Sequence, residues 1–252
     1  MTLSPQDWIA GLEKGLAVIE AFDAQHPRLT ATEAGERCGM TRTAARRYLK
    51  TLAHLGYVGT DGKLYWLMPR ILRLGHAYLE SARLPRLVQP FLQRIHEGTG
   101  EIAYLGVMDG PDTVFIGRSG ATRQPTHGYA LGTRLPAQVT AVGLAILASR
   151  PEAEADAWIA GCEPRAFTSY TLATRAELRA ALERFRHVGY SLSEQQLELN
   201  FRGIGVPLLD RHNQVHAAIS ITMPINQEET DHALRRVLPV IQEAAKSLRP
   251  LL

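Results

Sequence analysis

The N-terminal part of the sequence contains a succession of helix-start and helix-end signals that few folds accommodate. Thr30 and Glu33 form the pattern of a capping box, in which a hydroxyl and a carboxylate three residues apart begin a helix. Gly39 suits the left-handed position that follows a helix. Thr41 then predicts the N-cap of another helix, which we expect to end at Gly56. This order of two capped helices around a glycine turn indicates a helix-turn-helix.

The flanking segments extend this pattern to a winged form. Apolar residues recur at helical spacing from Ile9 to Phe22, which predicts a preceding amphipathic helix. Two β-prone runs, residues 57–58 and 64–67, lie on either side of an Asp61-Gly62 turn. Such a turn between β-prone runs is typical of a hairpin. The sequence therefore predicts a winged helix-turn-helix.

Beyond the hairpin the periodicity alternates between helix and strand, so the predicted fold class is α+β with a second, mixed α/β domain. The helices expected there lie near residues 88–98, 136–149, 174–189 and 229–248, and the strands near 102–108, 113–116, 203–209 and 215–222. The predicted division is a winged helix-turn-helix domain over 1–68, a linker helix over 69–85, and a mixed α/β domain over 86–252.

Composition and charge fit this division. The chain has 252 residues, of which 45% are hydrophobic and 21% charged, as in a globular protein. Residues 1–86 contain 12 Lys or Arg against 8 Asp or Glu, and the remainder contains 16 against 17. The excess positive charge therefore lies where a polyanion would bind. The sequence shows no signal peptide at its start, and its longest apolar stretch is half a membrane span, which predicts a cytoplasmic protein without a membrane partner.

The helix after the glycine turn contains the candidate DNA-binding residues. Arg42, Arg46 and Lys50 are four residues apart and so line one stripe of a helix, which fits the major groove. The alternative is an ordinary solvated helix face, but the surrounding order of elements favours DNA binding. The predicted contacts, with a wing lysine added, are Thr41, Arg42, Thr43, Arg46, Arg47, Lys50 and Lys63.

The sequence closely resembles the IclR family of bacterial transcription regulators over nearly its whole length. Within the family, the sequence is most similar to the branch that controls the breakdown of protocatechuate, hydroxybenzoate and related aromatic acids. The resemblance implies a GAF-related effector domain and a homodimer or a dimer of dimers. The segments that carry it are Lys14–Phe22, Leu29–Glu33, Cys38–Leu52, Leu55–Val58, Pro69–Gly75, Leu131–Pro136, Thr140–Gly143, Gly203–Asp210 and Ala218–Thr222.

The same resemblance implies an effector site on the last two strands. By position, Ser220 and Thr222 match cavity residues of the family, as do Gly203 and Ile204. The two hydroxyls share one strand face and suit a carboxylate or a phenol, although cross-strand hydrogen bonding is the alternative.

Two further residues are candidates for contact with an acidic effector. Arg134 is a candidate partner for its carboxylate, with a structural ion pair as the alternative. His127 is a candidate partner for a ring hydroxyl, with an ordinary loop histidine as the alternative.

The sequence contains none of the motifs of a hydrolase, a metalloprotease or a nucleotide-binding enzyme, so no catalytic residue, cofactor or metal is predicted. Cys38 and Cys162 are far apart, and His212 and His216 have no third ligand nearby. The expected partners are an inverted-repeat DNA operator, a small aromatic acid and a second copy of the chain. The alternative is a ligand-binding module or an enzyme of small organic acids that does not bind DNA.

Overall fold

A computed structural model describes residues 4, 6–119 and 128–252. The chain divides into two compact units, Met1–Tyr78 and Leu79–Leu252. The elements of the first unit, and the helix in which it ends, follow in chain order. They are α1 (Ala10–Glu20), β1 (Leu29–Thr30), α2 (Ala31–Arg37), α3 (Arg42–His54), β2 (Val58–Thr60), β3 (Leu64–Leu67), a 3-10 turn (Pro69–Ile71) and α4 (Leu72–Ser81).

The first unit is the predicted winged helix-turn-helix. Thr30 caps α2 in a complete capping box with Glu33, and Thr41 caps α3 by accepting a hydrogen bond from Ala44 N. Gly39 adopts the left-handed conformation expected after α2, with φ 63°. The wing is an antiparallel sheet in the order β1-β3-β2, in which Thr60 pairs with Tyr65 around the turn.

Close packing of α2 against the turn fixes the geometry of the helix pair. A Cβ atom added to Gly35 would lie 2.8 Å from the carbonyl oxygen of Met40, closer than a side chain tolerates. The core under the pair is apolar and fully buried at Val18, Ala34 and Leu49. Helix α3 therefore buries one face and leaves the other free.

The second unit is built on a six-stranded antiparallel sheet in the order β6-β5-β4-β9-β8-β7. Its elements are α5 (Arg83–Thr99), β4 (Ile102–Asp109), β5 (Asp112–Arg118), β6 (Arg134–Pro136), a 3-10 turn (Ala137–Val139), α6 (Ala141–Ser149), α7 (Glu152–Gly161), α8 (Arg175–Val188), β7 (Ser191–Glu194), β8 (Phe201–Leu209), β9 (Val215–Pro224), a 3-10 turn (Ile225–Gln227) and α9 (Thr230–Leu248).

The two faces of this sheet are covered differently. Ile219 and Ile221 on β9 belong to the core cluster that includes residues of α5 and α9. Ala218 is the neighbour of Ile219 on the same strand, and it belongs to a cluster with the buried helix α6. Alternation along a strand places these two sets on opposite faces. Two of the candidate effector residues, Ser220 and Thr222, lie on the face toward α6.

Several elements differ from the sequence-based prediction. The predicted helix over 136–149 is a short strand, a 3-10 turn and a shorter helix, because Thr140 caps α6 instead of Pro136 beginning it. The segment predicted as one linker helix contains α4 and the start of α5, since Pro85 lies in the first turn of α5, where no N–H is required. Helix α7 and strand β7 were not predicted. No described helix combines the length and apolar character needed to cross a bilayer.

Candidate DNA-binding surface and effector cavity

The basic residues of α3 form an exposed surface. Arg42, Arg46, Arg47 and Lys50 are all exposed, whereas Leu49 is fully buried on the opposite side of the helix. The predicted exposure of this stripe is therefore confirmed. Helix α3 presents its guanidinium groups to solvent and its apolar residues to the core of the first unit.

A groove joins this helix to the wing. Arg42, Arg46 and Lys50 line one side of it, and Gly62 and Lys63 of the wing turn line another. The described residues that line the groove include five basic side chains and no carboxylate. Since phosphate contacts dominate the affinity of proteins for DNA, this surface suits a duplex.

The remaining predicted contacts divide into two kinds. Thr43 and Arg47 also line the groove, whereas Thr41 is not among its lining residues and uses its hydroxyl as the N-cap acceptor of α3. Thr32 lines the groove as well and was not predicted. Its position depends on the angle between α2 and α3, which the sequence signals do not specify.

The sheet register of the second unit places a row of residues on the face toward α6. Ser220 of β9 pairs with Tyr104 of β4 on one side and with Gly205 of β8 on the other. Tyr104 pairs in turn with Arg118 of β5, and Gly205 with Ser191 of β7. Residues paired across strands share one face of the sheet, so the row brings Arg118, Tyr104 and Ser220 to the same side.

A cavity lies on this face and has two parts. An inner slot of about 40 Å³ is lined by Ser220, Gly203 and the first residues of α6. An outer part of about 460 Å³ is lined by residues that include Tyr104 and Gly128. The slot has roughly the volume that one water molecule occupies in the liquid, about 30 Å³, whereas the outer part has the size of a small-molecule site. The residues that line both parts are Tyr129, Glu198, Phe201 and Thr222.

Aromatic rings form an apolar wall of the cavity. Tyr129 stacks on Phe115 with ring centroids 5.2 Å apart, and its backbone N–H donates to the hydroxyl of Tyr104 at 3.0 Å. Burial, together with the nearby charge of Glu198, raises the pKa of Tyr129 to about 12. Like any tyrosine hydroxyl, that of Tyr129 is protonated at neutral pH and is able to donate a hydrogen bond.

Polar groups without partners lie in or beside the cavity. The Ser220 side chain is 3% exposed, and its hydroxyl has no hydrogen-bond partner among the described residues. Gln196 is 6% exposed, and its buried Oε1 atom has no partner either. The buried Nε atom of Arg118 is a third such group. Buried polar groups normally find hydrogen bonds, so these atoms indicate a site that a ligand completes.

The structure brings together some of the predicted effector residues and separates others. Ser220, Thr222 and Gly203 line the slot, as the family resemblance implied. Ile204 does not, because its side chain belongs to the core cluster on the opposite face of the sheet. His127 lies outside the described residues.

Arg134 requires a correction. Its side chain is 48% exposed and forms ion pairs with Asp109 at 2.5 Å and with Asp112 at 3.3 Å. These hydrogen bonds hold the guanidinium beside the β4–β5 turn and raise its pKa, and Arg134 is not among the residues that line the cavity. The structural ion pair, given above as the alternative, is the arrangement observed.

The groups that sequence reasoning missed are Arg118 and Gln196. A Phe-Ile-Gly-Arg run that ends a strand gives no sign of which face its arginine occupies. Arg118 and Tyr104 share one face of the sheet because of the register between β5 and β4. A bulge between Leu105 and Gly106 shifts that register. Gln196 follows β7, which the sequence did not predict. Among the described residues, no cluster of three or more His, Cys, Asp or Glu side chains is able to hold a metal ion.

Comparison with known proteins identifies the chain. The family described as the IclR helix-turn-helix domain matches residues 11–62, and the family described as the bacterial transcriptional regulator IclR C-terminal matches residues 76–249. The chain belongs to the IclR family. This IclR-family protein is therefore a transcription regulator with a helix-turn-helix DNA-binding domain, as the residues predicted.

Two relatives confirm the branch within the IclR family. The chain is 36% identical over 251 residues to the p-hydroxybenzoate hydroxylase transcriptional activator of Acinetobacter baylyi. The match covers 98% of this chain and 93% of that protein. It is 34% identical over 251 residues to the Pca operon regulatory protein of the same organism, with 98% and 90% covered. Both relatives are transcriptional regulators.

A solved structure is similar to the second unit. It is the inducer-binding domain of a double mutant of the PobR transcription factor from Acinetobacter, in complex with 3-hydroxybenzoic acid. The sequence identity is 28% and the TM-score is 0.64, with 68% of this IclR-family chain and 100% of that chain covered. The α/β fold of the effector domain is thus shared with that domain.

Proposed function

We propose that this regulator responds to a small aromatic carboxylic acid, which binds on the α6 side of the sheet and changes how the protein acts at its operator. The observation that carries the proposal is the slot at Ser220, where the hydroxyl of a buried residue has no hydrogen-bond partner among the described residues and faces the start of α6. Two relatives support the aromatic class. One is the p-hydroxybenzoate hydroxylase transcriptional activator, and the other is the PobR domain bound to 3-hydroxybenzoic acid.

The slot suits the carboxylate of such an acid. Thr140 caps α6 by accepting a hydrogen bond from Gly143 N at 3.0 Å, so the N–H groups of Ala141 and Val142 have no intrahelical acceptor. Unpaired N–H groups at a helix start, together with the helix dipole, favour an anion. The hydroxyls of Ser220 and Thr222 add two donors.

The outer part of the cavity suits the ring of the acid. Phe115, Tyr129 and Tyr104 form an aromatic cluster with centroids 5.1 to 5.9 Å apart, against which a benzene ring packs favourably. Gln196 adds a polar group at the slot. An apolar volume with a few fixed polar groups is the usual form of a small-molecule site.

On DNA, we propose that α3 enters the major groove. Arg42 and Arg46 then reach base edges, where arginine pairs with guanine through two hydrogen bonds. Thr41, Thr43, Arg47, Lys50 and Lys63 are the proposed contacts that position the protein on phosphates or bases. A dimer would place two such helices about 34 Å apart, which matches an inverted repeat.

The dimer itself is proposed from the exposed face of α1. Trp8, Ile9, Leu12 and Leu16 are exposed by 53%, 68%, 61% and 47%, and the last three recur at helical spacing. A contiguous apolar stripe on a helix commonly marks an interface with another chain. We propose a second copy of the chain as its partner, with the dimer of dimers as a further possible assembly.

The test of DNA recognition uses duplexes that the wild-type chain enriches from a random pool. Arg42→Ala and Arg46→Ala are each expected to weaken binding roughly 10- to 100-fold, the range of a lost bidentate base contact. The matched control is Arg73→Ala, which removes an exposed arginine of the same unit that does not line the groove. Wild-type affinity in both groove variants, measured by fluorescence anisotropy, would show that the recognition helix is assigned wrongly.

The alternative function is an enzyme or ligand-binding module of small organic acids without DNA binding. The proposal here is a cytoplasmic regulator without catalytic activity, whose affinity for DNA falls as salt rises because phosphate contacts release counterions. Turnover of an aromatic acid together with salt-independent or absent DNA binding would favour the alternative instead.

A further inference from the structure

Arg118 has surroundings unlike those of other arginines near the sheet. Neither an ion pair nor a side-chain hydrogen bond joins its guanidinium to any described residue, and its Nε atom is buried. Four other arginines of the same unit each have at least one carboxylate partner. They are Arg134 with Asp109 and Asp112, Arg179 with Asp156, Arg202 with Glu194, and Arg236 with Glu101 and Glu228.

The position of Arg118 connects it to the outer part of the cavity. Its guanidinium carbon lies 6.0 Å from the ring centroid of Tyr104, which lines that part. A Cβ atom added to Gly128, another lining residue, would lie 3.3 Å from Arg118 Nη2. Arg118 is not itself a lining residue, but its positive charge lies next to two residues that line the outer part, Tyr104 and Gly128.

Among the described residues, no carboxylate is paired with Arg118. Glu101 and Glu198 line the outer part, yet neither forms an ion pair with Arg118. Glu101 is instead paired with Arg236 at 2.7 Å. A partly buried guanidinium without an acceptor is unfavourable unless another group supplies one, and a ligand in the adjoining cavity is positioned to do so.

We propose that Arg118 selects effectors by donating hydrogen bonds to a second oxygen acceptor, at the end of the molecule opposite the carboxylate that enters the slot. This rests on the proposed function, which places that carboxylate near Ser220. In the sheet, Arg118 lies on β5 and Ser220 on β9, with β4 between them. The ligand class is therefore an aromatic acid with a hydroxyl or second carboxylate distal to the first, and an unsubstituted acid binds less well.

The experiment is calorimetric titration of the full chain with 4-hydroxybenzoate and with benzoate, which differ by that distal oxygen. The wild type is expected to prefer 4-hydroxybenzoate by about 10-fold or more, as for a hydrogen bond to a charged group. Arg118→Met is expected to reduce the preference to within about 2-fold while changing benzoate affinity little. Arg134→Met is the matched control and is expected to keep the wild-type preference, since Arg134 is paired with Asp109 and Asp112.

Thermal unfolding without ligand separates a binding role from a structural one. Because Arg118 has no ion pair or side-chain hydrogen bond among the described residues, Arg118→Met is expected to leave the melting temperature unchanged or higher. A lower melting temperature, or an equal loss of affinity for both acids, would overturn the assignment, as would a wild type that binds both acids equally.

The titrations also distinguish an error in the proposed function from an error in the role of Arg118. If the wild type binds neither acid, the aromatic effector is wrong, and the role of Arg118 is wrong with it. If the wild type binds 4-hydroxybenzoate preferentially and Arg118→Met keeps that preference, the role of Arg118 alone is wrong.

Discussion

Two serines in one row of the sheet differ in whether their hydroxyl forms a hydrogen bond within the protein. The Ser191 hydroxyl donates to the carbonyl oxygen of Ala141 at 2.5 Å and is fully buried. The Ser220 hydroxyl, two strands away, has no hydrogen bond to a described residue and lines the slot. A satisfied buried hydroxyl stabilises the fold, whereas an unsatisfied one in a cavity is available to a ligand.

This contrast predicts opposite effects of the same substitution. Ser220→Ala is expected to lower affinity for 4-hydroxybenzoate several-fold and to leave the unfolding free energy unchanged, because no protein hydrogen bond is lost. Ser191→Ala is expected to lower the unfolding free energy by about 1 kcal/mol, the net value of one hydrogen bond. Calorimetric titration and denaturant unfolding of both variants measure the difference. Equal destabilisation by the two would contradict the assignment of Ser220 to the slot.

At the scale of elements, the helix-turn-helix depends on how closely α2 approaches the turn that follows it. The N–H of Met40 donates to the carbonyl oxygen of Gly35 at 2.9 Å, which closes the turn directly against α2. Gly35 is buried, and its missing Cβ permits this contact. The orientation of the basic stripe of α3 relative to the wing therefore depends on one small residue.

Gly35→Ala is expected to destabilise the first unit by about 1–3 kcal/mol, the range for overpacking, and to weaken operator binding. The matched control is Gly75→Ala in α4, where an added Cβ meets nothing within 4 Å. There alanine is the better helix former, so we expect unchanged or slightly higher stability. Circular dichroism during thermal unfolding compares the two. A stable Gly35→Ala variant with wild-type DNA affinity would mean that the close contact is unimportant.

At the scale of the whole molecule, positive charge and exposed apolar surface are both concentrated in the first unit. The groove contains basic side chains of α3 and the wing, and the apolar stripe of α1 includes Leu12 and Leu16. One surface suits a duplex and the other a second copy of the chain. Symmetric DNA recognition requires both, because a two-fold operator is matched by a two-fold protein.

Replacing Leu12 and Leu16 together with glutamine is expected to produce monomers in light-scattering chromatography at micromolar concentration. Affinity for an inverted repeat should then fall toward the affinity for a single half-site, since the second recognition helix is no longer linked to the first. Lys14→Gln, an exposed polar change on the same helix, is the control and is expected to remain dimeric. A double variant that stays dimeric would place the interface elsewhere.

Local signals in the sequence determined the helix-turn-helix. The capping box at Thr30 and the Asp61-Gly62 turn act over a few residues, so their outcome could be predicted without tertiary structure. The periodicity of α3 likewise separated its basic face from its apolar face. The family resemblance singled out Ser220 and Thr222, and both line the slot.

Only the tertiary structure decided which arginine lies beside the cavity. Arg134 and Arg118 both belong to strands of the same sheet, and the sequence favoured Arg134. Asp109 and Asp112, brought next to Arg134 by the β4–β5 turn, neutralise its charge, while the register of β5 on β4 turns Arg118 toward the face of Tyr104. Capping is a local interaction, but strand register and the pairing of charges depend on residues distant in sequence, so no short segment encodes them.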